Sequence, residues 1–321
     1  MSIFLSSNVI VLLCLEFVLF LFAIYSVLIS LNIVKNWDFS KTTSSQYNLE
    51  KRSFLVSTII YFTIIIKIFL FLFFAWTLDS LASIVPGAMC AAGIINANSY
   101  GDILLFLKIF IIFIFTLWII INKLDLQEIN YPYIKKKYLL YIFTFLLLCV
   151  EIVLDYLYFS NISTKEPVLC CSVVFGSSSA ISSLPFNLSI SMMLTIFYIL
   201  YILILVSNIS KNSFVSFISG FLFLFVAYYS VTYFFGTYIY ELPTHKCPFC
   251  MLQKEYHYIG YIVWSSLFLG VFFSISSFIL NVIIKKDFKF TYKYAILFSS
   301  IFVLLCSSYV LVYYIKNGVF L

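Results

Sequence analysis

Two cysteines separated by two residues are the side chains of this sequence best suited to chemistry. Cys247 and Cys250 lie in the segment 241–261, ELPTHKCPFCMLQKEYHYIGY, which comes directly before a long apolar run. A Cys-x-x-Cys at a helix start can hold a disulfide, and the unpaired backbone N–H groups there stabilise a thiolate on the first cysteine. The same spacing can bind a soft metal ion or form one end of a structural bridge. Redox chemistry, metal binding and structural bridging are therefore three hypotheses for this segment.

The composition indicates what kind of protein must position these cysteines. Apolar residues make up 64% of the 321 residues, charged residues make up 10%, and the mean hydropathy is +1.10. No globular protein has enough interior to bury that much apolar surface. We therefore expect an all-α, polytopic integral membrane protein that contacts lipid and forms a single transmembrane domain over residues 1–321. The basic residues fall in short loops, which excludes a nucleic-acid-binding face.

Eight apolar runs are each long enough to cross the hydrocarbon core as a helix, since a core of ~30 Å takes about 20 residues. The N-terminus lacks the basic region of a signal peptide, so we expect the first run to stay as a spanning helix. The break at residues 208–213 is short and polar, which fits a tight hairpin. The expected spans are residues 9–34, 53–77, 103–122, 138–159, 188–208, 214–236, 258–284 and 294–315.

Basic residues are distributed unequally between the two sides of this predicted bundle. Of the 19 Lys and Arg residues, thirteen fall in the loops after the first, third, fifth and seventh helices, and four fall on the opposite side. Because translocation leaves positive charge in the cytoplasm, both termini are expected to face outward. The loops at 79–102, 160–187 and 237–257 then lie outside, and we expect the first two to fold down onto the bundle. A bacterial plasma (inner) membrane is the expected location, with these loops periplasmic or extracellular.

The cysteines follow the same division between loops and helices. Three of them lie within expected helices, where a cysteine is interpreted as a small apolar side chain. The other five share the outward loops, and in an oxidising compartment they can form two bridges and leave one thiol. The outward cysteines are Cys90, Cys170, Cys171, Cys247 and Cys250, and the helical ones are Cys14, Cys149 and Cys306.

The segment CPFCMLQK, residues 247–254, resembles the active segment of the DsbB family of quinone-linked disulfide-forming membrane enzymes. The resemblance implies that Cys247 and Cys250 are redox cysteines. It also implies that Gln253 and Lys254, with His257 nearby, contact a quinone, because the family has a Gln-Arg or Glu-Arg pair there. The segment is more loosely similar to the vitamin K epoxide reductase family, which also places a Cys-x-x-Cys at the outer start of a helix.

The chain departs from the DsbB pattern in three respects. It has eight expected helices where that family has four, and lysine replaces arginine, which loses the planar fork of donors. It also lacks a cysteine pair after the last outward-going helix. The resemblance then implies that Cys90, Cys170 or Cys171 supplies the second redox partner. A bridge between the adjacent Cys170 and Cys171 would be strained and easily reduced.

A membrane thiol-disulfide oxidoreductase is the first functional hypothesis. Cys247, expected to be the more exposed and helix-capping sulfur, exchanges with the thiols of a partner such as a periplasmic thioredoxin-like protein. Cys250 faces the membrane acceptor. Electrons pass from a loop thiol through the Cys-x-x-Cys pair to the quinone.

A transporter or metal-handling protein is the alternative from a different class. Cys247, Cys250 and Cys90 would capture a soft ion such as Cu(I) or Zn(II), together with His245 and with segments that carry Met89 and Met251. A third hypothesis is that the bridges are structural staples in an assembly subunit.

Ionisable residues within the expected spans bear on the transporter hypothesis, because charges inside a bilayer are costly and mark a pathway or a buried pair. Glu151 and Asp155 are four residues apart and share one helix face, so Lys108 is the expected partner of one of them. A proton route, a ligand site and ion pairs that fix helix packing all remain open. The five residues are Glu16, Lys67, Lys108, Glu151 and Asp155.

Overall fold

The computed structural model describes residues 3–40, 43–128, 130–164, 166–168, 188–243 and 245–321. Cys170 and Cys171 lie outside these described residues, as does most of the predicted loop 160–187. Eight helices in the described chain are long and apolar enough to cross a membrane. Each corresponds to one predicted span, so the prediction of an all-α membrane bundle with eight spanning helices is confirmed. The orientation of the termini stays a prediction.

The observed helices extend beyond most of the predicted spans. The longest, α2, has 38 residues, because a polar N-terminal extension continues the helix outside the apolar run. The sixth contains a π-helical segment, Val231–Phe235, which replaces α-helical hydrogen bonding close to its end. The helices are α1 Ser7–Asn36, α2 Ser44–Leu81, α3 Gly101–Leu126, α4 Ile134–Ser160, α5 Ile190–Ile209, α6 Ser213–Tyr240, α7 Ile259–Ile284 and α8 Lys289–Asn317.

The chain divides into two compact units, Met1–Val168 and Leu169–Leu321. The first contains α1 to α4 and the second contains α5 to α8. The prediction of one transmembrane domain over residues 1–321 stays a prediction.

In the first unit, α1 packs against α2 and α4, and α3 packs against α2 and α4. The α2–α3 connection contains a short helix, Ala91–Ile95, in which every residue is buried. The Tyr158 hydroxyl near the end of α4 donates to the Ile94 carbonyl oxygen at 2.8 Å, and the Asn98 amide donates to the Tyr158 carbonyl oxygen at 2.9 Å. The expectation that this loop folds down onto the helices is therefore confirmed for its described residues.

In the second unit, α7 packs against α6 and α8, and α5 packs against the same two helices. Glycines allow α7 to approach both neighbours closely. A Cβ atom on Gly220 of α6 would lie 2.7 Å from the Cβ of Ser274, and one on Gly270 would lie 2.9 Å from the backbone nitrogen of Ser299. Small residues at such contacts let helix backbones pack closely, which is how membrane helices associate without a hydrophobic driving force between them.

Candidate functional site

The cysteine pair lies in the α6–α7 connection, residues 241–258. Two short 3-10 turns, Cys250–Leu252 and Lys254–Tyr256, occupy its second half. Tyr258 follows in a left-handed conformation with φ of 56°, and α7 begins only at Ile259. The prediction that Cys247 caps a long helix is therefore wrong, because these turns separate it from α7.

The two sulfur atoms are close together and shielded. The Sγ atoms of Cys247 and Cys250 lie within 4.8 Å of each other. Cys247 is 1% exposed and Cys250 is 6% exposed. The prediction that Cys247 is the more exposed sulfur is wrong, because the chain folds back across Tyr240 at this point. The backbone N–H of Phe249 donates to the Cys247 Sγ at 3.4 Å, a contact that favours the thiolate form.

Tyr240, the last residue of α6, holds the backbone on both sides of the pair. Its hydroxyl donates to the carbonyl oxygen of Cys247 and accepts a hydrogen bond from the N–H of Met251 at 3.1 Å. Two other rings pack edge-on against it, with centroid distances of 4.4 Å to His245 and 4.7 Å to Tyr256. One buried side chain therefore ties both ends of the Cys-x-x-Cys loop to the end of a membrane helix.

Helix α7 holds the same loop from the other side. The indole N–H of Trp264 donates to the carbonyl oxygen of Pro248, between the two cysteines, at 3.0 Å. A Cβ atom on Gly260 would lie 2.5 Å from the Cγ of Met251, so glycine is what lets the start of α7 pack against the turn that carries Cys250. Met251 itself is fully buried and belongs to this packing.

Lys246 precedes the pair and is 8% exposed. Its ammonium lies 5.2 Å from the centroid of the Tyr233 ring, in the π-helical segment of α6. Burial lowers the pKa of the Lys246 ammonium, and burial raises the pKa of the nearby Tyr256 hydroxyl. Lys246 therefore packs against α6, whereas the Phe249 N–H is a contact that can stabilise the Cys247 thiolate.

The residues predicted to contact a quinone lie in the second 3-10 turn of the connection or directly beside it. Gln253 is half-buried, and its backbone carbonyl oxygen accepts from the N–H groups of Tyr256 and Tyr258, each at 3.2 Å. Lys254 and His257 are exposed. Their roles stay predictions.

The other described cysteines lie in the α2–α3 connection and in the membrane helices. Cys90, in the first unit, is buried and directly precedes the short helix Ala91–Ile95. The predicted exchange of Cys90, Cys170 or Cys171 with the Cys247 pair stays a prediction. In the membrane helices, Cys306 is fully buried whereas Cys14 is exposed.

Five buried charged residues of the first unit form one network. The Lys108 ammonium lies 3.0 Å from a Glu16 oxygen, 2.7 Å from a Glu151 oxygen and 2.9 Å from an Asp155 oxygen. Lys67 contacts Glu16 and lies 2.9 Å from the other Glu151 oxygen. The predicted pairing of Lys108 with one of the two carboxylates of α4 is confirmed, and Lys108 contacts both. We call Glu16, Lys67, Lys108, Glu151 and Asp155 the charge cluster.

Sequence reasoning did not identify Tyr240, Gly260 or Trp264 as part of the cysteine site. Aromatic residues make up 21% of the chain, so a single Tyr or Trp does not stand out. The only signal was the position of Tyr240 where an apolar run gives way to a polar loop.

Removal of the Tyr240 hydroxyl should loosen the loop that shields the cysteines. Replacing Tyr240 with phenylalanine removes the hydrogen bonds to Cys247 and Met251, each worth about 1 kcal/mol net. We expect Cys247 and Cys250 to react about tenfold faster with a maleimide in the folded protein. Tyr258→Phe is the control, because Tyr258 is 50% exposed. Equal labelling rates in both variants would show that Tyr240 does not restrain the loop.

Comparisons of the chain with protein-family models, with curated proteins and with solved structures find no match.

Proposed function

We propose that this protein is a membrane thiol-disulfide oxidoreductase whose redox centre is the Cys247 and Cys250 pair. The observation that carries the proposal is the placement of two Sγ atoms within 4.8 Å of each other, in a loop bonded to Tyr240 and Trp264. A disulfide needs a sulfur-sulfur distance of about 2.05 Å. A small side-chain movement would therefore close or open the bond while the flanking helices keep the backbone in place.

The exchange proceeds through a mixed disulfide. In the oxidising direction, a partner thiolate attacks Cys247 of the disulfide, a partner-Cys247 bond forms, and Cys250 leaves as a thiolate. A second partner thiolate then attacks the partner sulfur and releases Cys247. The partner gains a disulfide, and the pair takes up two electrons. The Phe249 N–H stabilises the thiolate that develops on Cys247.

The donor set of the second turn suits a quinone. The Gln253 amide and the Lys254 ammonium are hydrogen-bond donors, and quinone oxygens are acceptors; exposed His257 adds a third polar group. A bound quinone would accept two electrons and two protons from the dithiol, which returns the pair to the disulfide. We assign Gln253 and Lys254 to hold it, on the resemblance of residues 247–254 to the DsbB family.

We place this chemistry on the outer side of a bacterial inner membrane, with a periplasmic thioredoxin-like protein as the thiol partner. The distribution of Lys and Arg residues supports this side. An oxidising compartment is also where a stable dithiol-disulfide cycle is needed.

Alkylation trapping tests the proposal directly. Cells are quenched in acid, free thiols are blocked, and disulfides are then reduced and labelled with a heavy maleimide. We expect the Cys247 and Cys250 pair to be found partly oxidised, and an added quinone to raise the oxidised fraction. Cys306→Ala is the matched control, because Cys306 is buried within α8 and its removal should leave the pattern unchanged. If the pair is never oxidised or joined to a partner, the proposal is wrong.

Metal handling is the second function to test, because two sulfurs within 4.8 Å of each other can also bind a soft metal ion. Elemental analysis of the purified protein separates the two functions. One equivalent of copper or zinc that is lost when Cys247 and Cys250 are both replaced would favour metal capture, with His245 and Cys90 as the predicted co-ligands. If the double replacement lowers stability alone, the pair is a structural staple.

A further inference from the structure

The charge cluster of the first unit does not balance its own charge. It combines three carboxyl groups with two amines, and its five members are between 1% and 6% exposed. With every group ionised, one negative charge has no counter-ion. An uncompensated charge in an apolar interior costs several kcal/mol, so the cluster must bind something positive.

The contacts identify Asp155 as the carboxyl group with the least compensation. Glu16 and Glu151 each contact both lysines. Within the described part of the chain, Lys108 is the one lysine that contacts Asp155, through Oδ2 at 2.9 Å. Its second oxygen, Oδ1, is buried and has no hydrogen-bond partner among the described residues. The excess charge is therefore concentrated on Asp155.

The lysines decide which positive species suits the cluster. Carboxyl oxygens of Glu16, Glu151 and Asp155 lie within 4.8 Å of one another, a spacing that alone would also suit a metal ion. The Lys108 ammonium already lies within 3.0 Å of an oxygen from each of them, where such an ion would be ligated. A metal cation would be repelled by it and by Lys67. A proton removes the excess charge without displacing either lysine.

We propose that the charge cluster is a proton-binding site in which Asp155 carries one exchangeable proton. The proton lies on Oδ1, and Oδ2 accepts the hydrogen bond from Lys108. An unpartnered neutral hydroxyl costs less than an unpartnered charged oxygen, because far less solvation is lost on burial. The charged groups around Asp155 are Glu16 from α1, Lys67 from α2, Lys108 from α3 and Glu151 from its own helix.

Asp155 is also the member of the cluster closest to a helix end. It lies five residues before Ser160, the end of α4, which is about 8 Å along the axis. Tyr158 follows within one turn, and its hydroxyl donates to Ile94 of the short helix Ala91–Ile95. Asp155 is therefore the member of the charge cluster nearest to the end of the unit that this short helix covers. On the opposite face of the cluster, Glu16, Lys67 and Glu151 line a cavity of about 10 Å³, about the room of one water molecule.

Infrared spectroscopy of the full-length protein in lipid, near neutral pH, tests this site. A buried protonated carboxyl group gives a carbonyl band separate from that of carboxylates. We expect one such band, a shift of it on transfer to D₂O, and its loss in Asp155→Asn. Asp125→Asn is the matched control, because Asp125 is also fully buried and lies 2.7 Å from one lysine, Lys137. Its removal should leave the band in place.

Isotope labelling keeps the test valid if Asp155→Asn does not fold. In the unmodified protein, aspartate labelled with ¹³C at the carboxyl group should shift the band, and labelled glutamate should not. Absence of a protonated-carboxyl band, its persistence in Asp155→Asn, or a shift only with labelled glutamate would each overturn the proposal. These readouts do not depend on thiol chemistry, so the site can fail or stand independently of the oxidoreductase proposal.

Discussion

Replacing Lys108 with methionine should lower the free energy of unfolding by about 3 to 5 kcal/mol, the loss typical when one partner of a buried charge network is removed. Methionine keeps the apolar stem that lies beside Phe74, whose ring centroid is 5.1 Å from the ammonium, so the loss reports the charge. Without Lys108, no lysine of the described residues contacts Asp155, and Glu16 and Glu151 share Lys67. Titration with a denaturing detergent in mixed micelles measures the change.

Lys123→Met is the control for this prediction, because Lys123 lies on the same helix and is exposed. It should change the free energy of unfolding by less than about 0.5 kcal/mol. Glu16→Gln in the Lys108→Met background removes one carboxylate along with the amine, leaves Glu151 beside Lys67, and should recover part of the loss. If Lys108→Met unfolds at the same detergent fraction as Lys123→Met, the charge cluster does not stabilise the first unit.

Replacing Cys250 with serine should abolish dithiol oxidation, with a loss of about 10³-fold or more, the scale on which catalytic groups that act as a unit fail together. Cys247 can still attack the disulfide of an oxidised partner, which forms the mixed disulfide and releases the other partner sulfur as a thiolate. Without Cys250, however, the pair cannot close into the disulfide that the catalytic cycle needs, so the mixed disulfide should accumulate. Non-reducing gel electrophoresis after acid quenching detects it as a species of higher mass that disappears on reduction.

The matched variants separate this outcome from general damage to the loop. Cys247→Ser should lose activity to the same extent without accumulating a mixed disulfide, and Cys306→Ala should keep both activity and the wild-type gel pattern. A mixed disulfide that forms on Cys250 instead would reverse the assigned roles. Full activity in Cys250→Ser would exclude the pair as the redox centre.

Much of the fold could be predicted from the sequence, since a spanning helix needs only a long apolar run. The runs at 9–34 and 258–284 correspond closely to α1 and α7. The ends were less predictable, because backbone hydrogen bonding can continue a helix beyond the apolar region. The polar start of α2 before residue 53 and the last turn of α6 after residue 236 show this.

The candidate site was harder to predict from the sequence than the helices were. The spacing of Cys247 and Cys250 identified the reactive groups, but their burial and the two turns that separate them from α7 depend on how the connection folds. Tyr240 and Trp264 act through hydrogen bonds to backbone groups of the loop. Such contacts leave no spacing pattern, because the partners are carbonyl and amide groups that every residue carries.

The sequence by itself determined that this is an eight-span membrane protein, which residues could do redox or metal chemistry, and which helices contain costly charges. These properties follow from composition and from the number of residues that a bilayer requires. Only the tertiary structure decided that Glu16 and Lys67 join Lys108, Glu151 and Asp155 in a single network with one charge in excess. The physical reason is that such a network depends on side chains from four separate helices, whose rotation and depth are set by packing.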